Sequence, residues 1–242
     1  MHIALLTALP LEYRAAIDVF RIRDRIRCPG ARAVSGTVGK HTVLCVKTGP
    51  GFKRSAGAAS ALCARFSPEI IIDSGTCAGL AAEVHIGDIL ISFESIRARS
   101  DGTGRARTGS DDADHFLRSY RIPESAWEAF GEQARHLGAQ HGFVVHTGRQ
   151  ATISTVLENT AMKHRLRTNL GASGANWETH AVFSAAQAAD CTAVSIRVVS
   201  DLGEASAIVD FFRYARPFSR KLYLFLHILM SGGWFDNLWS AE

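Results

Sequence analysis

Three acidic residues lie next to segments that have the pattern of buried strands or helices, and they are the first candidates for chemistry. Glu12 comes shortly after the apolar run 2–8, Asp201 directly follows the run 193–200, and Glu178 precedes an alanine-rich helical stretch. Ligands of open α/β sheets bind beyond the carboxyl ends of the strands. We therefore expect the three carboxylates to meet at one edge of a sheet.

Two glycine-containing segments are predicted at the same edge. Residues 48–51 (Thr-Gly-Pro-Gly) follow a strand at 41–47, and residues 75–79 (Gly-Thr-Cys-Ala-Gly) follow a strand at 69–74. We interpret both segments as turns, where glycine allows backbone conformations that other residues avoid. Each acid and each turn has an ordinary structural explanation when it is taken singly. Their placement together predicts a pocket.

Carboxylates without metal-binding histidines are suited to acid–base chemistry. The ten histidines form no HxxxH or HxH pattern and the five cysteines form no CxxC pair, which argues against a metal site. When an N-glycosidic bond breaks, the ribosyl group becomes positively charged. One carboxyl can then protonate the leaving base, a second can activate water, and a third can hold the ribose hydroxyls. This chemistry needs no metal and no organic cofactor.

The composition excludes several other classes of protein. The 242 residues are 47% hydrophobic and 21% charged, and 27 Lys and Arg against 23 Asp and Glu give a formal charge of +4. This excess is too small to predict a nucleic-acid partner. No segment approaches the roughly 18 apolar residues of a membrane span. The odd number of scattered cysteines, and the absence of a secretory signal, lead us to expect a cytoplasmic protein.

Alternating strand and helix patterns predict an α/β protein with a single domain over residues 1–242. Residues 98–115 are polar and lack periodicity, so we interpret them as a surface loop, and the arginine-rich run 21–27 as a solvated edge. Pro217 is expected to bend or break the last helix. We predict strands at 2–8, 33–38, 41–47, 69–74, 87–92, 143–147 and 193–200, and helices at 10–20, 55–66, 125–137, 158–168, 179–189 and 209–230.

Five motifs in this order and spacing resemble the nucleoside phosphorylase/nucleosidase superfamily, and most closely its bacterial 5′-methylthioadenosine/S-adenosylhomocysteine nucleosidases. The resemblance implies a three-layer α/β/α fold with a central mixed β-sheet. It also implies hydrolysis of a purine nucleoside, with adenine as the expected base, and a homodimer. The motifs are IALLTALPLE at 3–12, TGPG at 48–51, SGTCAG at 74–79 with GDI at 87–89, WET at 177–179 and RVVSD at 197–201.

The resemblance implies a role for each matching residue. Asp201 resembles the general acid for the purine N7, Glu12 the residue that activates the attacking water, and Glu178 the carboxylate that binds the ribose 2′- and 3′-hydroxyls. Thr76 stands where a serine contacts the nucleophile, and Arg197 resembles an arginine on the nucleophile's side. Further substrate contacts are expected from Trp177 beneath the sugar, Ser200 supporting Asp201, Phe211 beside the base, Ala151 and Thr152 facing the base, and the turn residues Gly75 and Pro50.

Among the departures from the family pattern, two lie next to the ribose-binding Glu178. Trp177 replaces a methionine and enlarges the side chain beneath the sugar, which leaves the 5′ substituent of the substrate open. Asn176 stands where a glutamate usually precedes the ribose-binding pair.

Three alternative functions also remain open. The first alternative to a nucleosidase is a purine nucleoside phosphorylase. Against it, Asp73 occupies the position of a phosphate-binding arginine, and a carboxylate repels phosphate. A hopanoid-associated phosphorylase of an adenosyl lipid is a narrower version, in which the apolar segment 222–230 would contact the membrane. The third alternative is a nucleoside-binding protein without turnover.

Overall fold

A mixed β-sheet of twelve strands forms the centre of the fold in the computed structural model, which describes residues 1–98 and 115–239. The strands are β1 (His2–Thr7), β2 (Asp24–Cys28), β3 (Ala31–Val38), β4 (His41–Lys47), β5 (Ile70–Gly79), β6 (Ile89–Ser92), β7 (Glu94–Arg97), β8 (His115–Arg118), β9 (Val145–Thr147), β10 (Arg149–Thr152), β11 (Ala172–Asn176) and β12 (Thr192–Asp201). The helices are α1 (Pro10–Phe20), α2 (Phe52–Phe66), α3 (Glu124–Gln140), α4 (Thr160–His164), α5 (Thr179–Ala188) and α6 (Ala207–Ser231).

Helices cover both faces of this sheet. Apolar residues of α1, α3 and α6 pack with one face in the larger core cluster, and apolar residues of α2 and α5 pack on the opposite face. Strand pairing is parallel between β1 and β4 and antiparallel between β3 and β4. The predicted three-layer α/β/α fold with a mixed sheet is therefore confirmed.

Strand β5 is the element that organises the site. It pairs in parallel with β1 and with β12, and its end pairs antiparallel with β11. The predicted turn at 75–79 is wrong, because β5 continues to Gly79 and all ten of its residues are buried. The ladder continues because Arg197, Val198 and Val199 of β12 pair with Gly75, Thr76 and Cys77. The glycine-containing segment is thus part of the central sheet.

The last helix, α6, differs from its prediction at Pro217. It is one continuous helix from Ala207 to Ser231 that contains Pro217, so the proline does not divide it. In the segment 222–230, most of the apolar residues are fully buried in the larger core cluster, so this segment packs as an ordinary core helix, which argues against the membrane contact of the adenosyl-lipid alternative. No helix in the described part of the chain is both long and apolar enough to cross a membrane.

Other differences lie at the edges of the fold. The arginine-rich run contains an edge strand, β2, whose first four residues are exposed or partly exposed. The predicted helix at 158–168 is the short α4 followed by a π-helical turn at Arg165–Asn169. Of the predicted loop at 98–115, residues 99–114 lie outside the described residues, and His115 begins strand β8. Short strands such as β10 and β11 were not predicted.

Candidate active site

A cavity of about 360 Å³ lies at the carboxyl ends of β1, β5 and β12. Most of the residues predicted for the site meet there, although they come from distant parts of the sequence. The predicted residues that line it are Glu12, Pro50, Thr76, Trp177, Glu178, Arg197, Ser200, Asp201 and Phe211. Three others, Gly75, Ala151 and Thr152, do not line it.

Glu12 is held by four hydrogen-bond donors. It occupies the first turn of α1, and its Oε2 accepts hydrogen bonds from the backbone N–H groups of Ala8 (3.1 Å) and Leu9 (2.8 Å). Its Oε1 accepts from the backbone N–H (2.9 Å) and the hydroxyl (3.1 Å) of Thr76. The carboxylate thereby joins the helix start to the central strand, and its orientation towards the cavity is restricted.

Gly75 makes room for this carboxylate instead of contacting the cavity. Its φ is +146°, a conformation that side chains rarely adopt. A Cβ atom at this position would lie 2.6 Å from Oε1 of Glu12, closer than van der Waals contact allows. The absence of a side chain at Gly75 is what allows Glu12 to reach Thr76.

Arg197 is the buried cation that connects the acidic groups of the site. Only 1% of it is exposed, and its Nε and Nη2 form a forked pair with Asp73, at 3.1 Å to Oδ2 and 2.8 Å to Oδ1. Its Nη1 donates to the carbonyl of Thr76 (2.8 Å) and its Nη2 lies 3.3 Å from Oε2 of Glu178. Such bidentate geometry orients both partners.

Asp73 does not act as the free negative charge inferred from the sequence. It is absent from the cavity lining, and its carboxylate is paired with Arg197 and also accepts hydrogen bonds from the hydroxyls of Thr179 (2.6 Å) and Ser195 (3.1 Å). The expected repulsion of phosphate by Asp73 is therefore wrong. Any repulsion in the cavity comes from Glu12 and Glu178.

Glu178 is positioned by the loop at 48–51 and by Asn176. Its Oε1 accepts a hydrogen bond from the backbone N–H of Gly51 at 2.9 Å. Asn176 Oδ1 accepts from the backbone N–H groups of Glu178 and Thr179, both at 2.9 Å, so the asparagine caps the start of α5. This capping role accounts for the asparagine where the family pattern has a glutamate.

Asp201 is directed into the cavity by a local irregularity of β12. The register of β12 against β5 shifts between Val199 and Asp201, and such a bulge changes the direction of the following side chain. One carboxyl oxygen of Asp201 accepts a hydrogen bond from the hydroxyl of Ser200 (2.9 Å) and the other from the backbone N–H of Gly203 (3.0 Å).

The three carboxyls differ in their electrostatic surroundings. Burial raises the pKa of Glu12, Glu178 and Asp201 above the ordinary values. The charge of Arg197 opposes this rise for the two glutamates, whereas the opposing contributions at Asp201 are mainly the hydrogen bonds from Gly203 and Ser200. Asp201 is thus the carboxyl without an adjacent buried cation, which suits it to hold a proton.

The mouth of the cavity is apolar. Phe212 is 78% exposed, and Trp177 is 38% exposed with its indole N–H donating to the carbonyl of Thr155 (3.0 Å). The sequence did not predict Ile208 and Phe212 here, although their spacing of four residues places them on the same helix face and could have indicated them. The additional lining residues are Ala8, Leu9, Cys77, Ala78, Ile153, Val156, Leu157, Ala175, Asn176, Ala207, Ile208 and Phe212.

The chain reaches the cavity just after β10, one residue beyond Ala151 and Thr152, which the sequence had predicted to face the base. Ala151 is buried in a neighbouring apolar cluster, and the hydroxyl of Thr152 accepts a hydrogen bond from the backbone N–H of His180 (2.8 Å). The lining residue nearest in sequence is Ile153.

In the described part of the chain, no three His, Cys, Asp or Glu side chains are grouped in a way that could hold a metal ion.

The fold and the cavity define an α/β protein whose site combines buried carboxylates with one buried arginine at the ends of sheet strands. The sequence profile of the phosphorylase superfamily matches residues 2–223. The chain belongs to the phosphorylase superfamily.

Individual proteins within this superfamily show similarity over different lengths. The 5′-methylthioadenosine/S-adenosylhomocysteine nucleosidase of Anoxybacillus flavithermus is 29% identical over 103 residues, which is 43% of this chain and 44% of that protein. The match therefore spans less than half the length of this curated relative.

Two solved structures of Helicobacter pylori proteins have the same fold over nearly the whole chain. The 5′-methylthioadenosine/S-adenosylhomocysteine nucleosidase with butyl-thio-DADMe-Immucillin-A has a TM-score of 0.81 at 15% identity, covering 98% of this chain and 99% of that one. The futalosine hydrolase has a TM-score of 0.80 at 16% identity, covering 98% of each chain. At these identities the similarity shows the fold alone.

Proposed function

We propose that this protein is a nucleosidase that hydrolyses the N-glycosidic bond of a purine nucleoside, with adenine as the expected base. The observation that carries this proposal is the meeting of Glu12, Glu178 and Asp201 in one cavity, with Arg197 beside the two glutamates and not beside Asp201. In this arrangement the charge of Arg197 favours the ionised forms of Glu12 and Glu178, whereas no buried cation does so for Asp201. The nucleosidase names of relatives support the same substrate class.

Each step of the reaction has a candidate group in the cavity. Asp201 donates its proton to N7 of the base as the bond between the base and C1′ of the ribose breaks and its electron pair leaves with the base. Glu12 orients a water molecule and accepts its proton while the oxygen bonds to C1′. Glu178 accepts hydrogen bonds from the ribose 2′- and 3′-hydroxyls. The buried setting strengthens these interactions with the positive charge that develops on the sugar.

The state of Arg197 favours water over phosphate as the nucleophile. Its guanidinium already binds Asp73, the carbonyl of Thr76 and Glu178, so it has little capacity left for an incoming anion. Glu12 and Glu178 add negative charge to the same region. We therefore place hydrolysis ahead of phosphorolysis.

Base release from a nucleoside panel tests this proposal directly. Methylthioadenosine, S-adenosylhomocysteine, adenosine, inosine and uridine would be incubated with and without inorganic phosphate, and the products separated by chromatography. Equal release of free purine in both buffers is the expected result. Release that requires phosphate and yields ribose 1-phosphate would establish the phosphorylase instead, and tight purine binding without release would establish a nucleoside-binding protein.

The Asp201→Asn variant tests the assignment of the general acid. We expect turnover to fall by about 10²–10⁴-fold, the usual contribution of a positioned acid, while the fold is kept. Asp18→Asn is the matched control, because Asp18 is an exposed residue of α1, outside the cavity lining. Full activity of Asp201→Asn would overturn the mechanism.

The apolar mouth favours a more specific class of substrate for the same hydrolysis reaction. Ile208 and Phe212 line the cavity where it opens to solvent, and both are exposed. A nucleoside with a bulky apolar 5′ substituent, such as an adenosyl lipid, would cover these side chains. Rates measured for 5′-alkylthioadenosines of increasing chain length would rise if this is correct and fall if the pocket accepts only small groups.

We further propose that the protein works as a cytoplasmic homodimer. The family resemblance supports the dimer. Neither a nucleic acid nor a membrane span belongs to this proposal. Light scattering of the purified protein, which would give twice the mass of one chain, tests the dimer.

A further inference from the structure

A second cleft, of about 730 Å³, lies on the other side of the loop at 48–51 from the nucleoside cavity. It is formed where β3 and β4 meet the first two turns of α2. Four of its lining residues are cationic and none is acidic. The lining residues are Pro29, Gly30, Ala31, Arg32, Lys47, Thr48, Gly49, Lys53, Arg54, Gly57 and Ala58.

The positive charges of this cleft are not neutralised within the described part of the protein. The ion pairs found among the described residues include none of Arg32, Lys47, Lys53 and Arg54. The cleft therefore gathers four positive charges that no carboxylate of the described residues pairs.

The strand register places a further cation, Arg27, in a row with Arg32 and Lys47 of the cleft. Arg27 of β2 lies directly opposite Arg32 of β3, and Arg32 lies directly opposite Lys47 of β4. Like charges placed opposite each other across neighbouring strands destabilise a sheet. An anion bound beside this row would offset that repulsion.

The start of α2 has the same charge pattern. Its first turn contains Lys53 and no acidic residue, and Arg54 follows. The N-terminus of a helix carries a partial positive charge and is favoured by acidic side chains, so cations at this place are unfavourable unless an anion is present. The cations of α2 and the cations of the strands are therefore both in electrostatically unfavourable positions. A bound anion would stabilise both groups.

We propose that this cleft binds a small polyanion that carries two or more phosphate groups. Several cations around a space of this size match several negative charges. The cleft has no aromatic lining residue in the described part of the chain, so recognition is directed to the phosphates and not to a stacked base. Inorganic pyrophosphate, tripolyphosphate and the phosphate chain of a nucleotide share this chemistry.

The loop at 48–51 connects the cleft to the nucleoside cavity. Thr48 and Gly49 line the cleft, Pro50 lines the cavity, and the N–H of Gly51 donates to Glu178. A polyanion in the cleft would restrict this loop and with it the carboxylate of Glu178. A change in the KM for the nucleoside is the expected consequence. This consequence rests on the proposed nucleosidase function, whereas binding to the cleft does not.

Calorimetric titration of the nucleoside-free protein tests the site. Phosphate, pyrophosphate, tripolyphosphate and adenosine triphosphate would be titrated at constant ionic strength. We expect tripolyphosphate to bind at least tenfold more tightly than phosphate, with one equivalent per chain. Equal affinity for tripolyphosphate and the adenosine nucleotide would show that the phosphates are recognised. Much tighter binding of the nucleotide would contradict a cleft that ignores the base.

Two double variants distinguish a cleft from general surface charge. K53Q/R54Q removes two lining cations and should weaken tripolyphosphate binding at least tenfold. R213Q/R216Q removes two exposed cations of α6 that line neither the cavity nor the cleft, and it should leave binding unchanged. Equal losses in both variants, no binding at all, or tighter binding of a single-stranded oligonucleotide than of tripolyphosphate would overturn the proposal.

Enzyme assays then separate the two proposals. If tripolyphosphate binds as expected and shifts the KM only in protein with an intact cleft, the link through the loop is supported. If it binds but no nucleoside in the panel is cleaved, the proposed function fails while the binding site stands.

Discussion

The floor and the mouth of the cavity at the strand ends differ in how their side chains are held. At the floor, Glu12, Arg197 and Glu178 are buried and each makes several hydrogen bonds within the protein. At the mouth, Phe212 and Ile208 are exposed apolar side chains on the first turns of α6. The floor is held by contacts within the protein, whereas under the proposed function the mouth would gain its main contacts from the substrate.

This difference separates the chemistry from the choice of substrate. Groups that stabilise a transition state are most effective when they are fixed in advance, because no reorganisation is then needed during the reaction. The floor has this property because Thr76 of β5 and Arg197 of β12, in the middle of the sheet, bind Glu12 and Glu178. The mouth is formed by a helix start and a loop, where side chains can change without disturbing the sheet.

The largest expected effect comes from removing the central cation of the floor. Arg197→Met leaves the buried carboxylates of Asp73 and Glu178 without their partner, and we expect the free energy of unfolding to fall by about 3–5 kcal/mol. Urea denaturation followed by circular dichroism measures it. Arg213→Met, at an exposed position of α6, is the control and should change stability by no more than about 0.5 kcal/mol. A loss below about 1 kcal/mol for Arg197→Met would show that the floor is not held by this cation.

A smaller effect on folding, but a large one on turnover, is expected from Gly75→Ala. The added methyl group would press on the Glu12 carboxylate, and the positive φ adds strain of about 1–3 kcal/mol. We expect kcat to fall about a hundredfold, because displacement of a catalytic group by about 1 Å has this order of cost. The control is Gly57→Ala in α2, where a Cβ atom meets no neighbouring atom within 4 Å. Unchanged kcat in Gly75→Ala would separate Glu12 from the chemistry.

Gly75 also shows how far sequence reasoning reaches. The position of the carboxylates could be predicted, because parallel strands bring their carboxyl ends to one edge of a sheet. The continuation of β5 through Gly75 could not, because it depends on pairing with β12, more than a hundred residues away. The same holds for Asp73, whose neutralisation by Arg197 is a contact between distant residues. The local sequence pattern indicates which residues lie near the site. Pairing between distant residues determines whether a segment continues as a strand and whether a carboxylate is neutralised.

At the mouth, Phe212→Ala should change specificity and leave stability nearly unaffected. Phe212 is 78% exposed and lines the cavity, so its removal costs little in the free protein. For a substrate with an apolar 5′ group we expect KM to rise about tenfold, as for the loss of one to two kcal/mol of apolar contact, and for adenosine we expect no change. The matched control is Val209→Ala, which is exposed on the same helix but does not line the cavity. Equal effects on both substrates would place the 5′ group elsewhere.

The smallest effect concerns the proton of Asp201. This residue must be protonated to act as the acid, so activity is expected to decline as the pH rises through its pKa, which burial raises. The hydroxyl of Ser200 donates to the Asp201 carboxyl and favours its charged form, which opposes the rise in pKa. Ser200→Ala should therefore raise the pKa of Asp201 further and move the alkaline limb of the kcat profile to higher pH. The control is Ser206→Ala, whose hydroxyl donates to Asp210 instead. A shift of that limb to lower pH in Ser200→Ala would mean that a different group donates the proton. Asp201 could then no longer be distinguished, as the proton donor, from Glu12 and Glu178, whose ionised forms Arg197 favours.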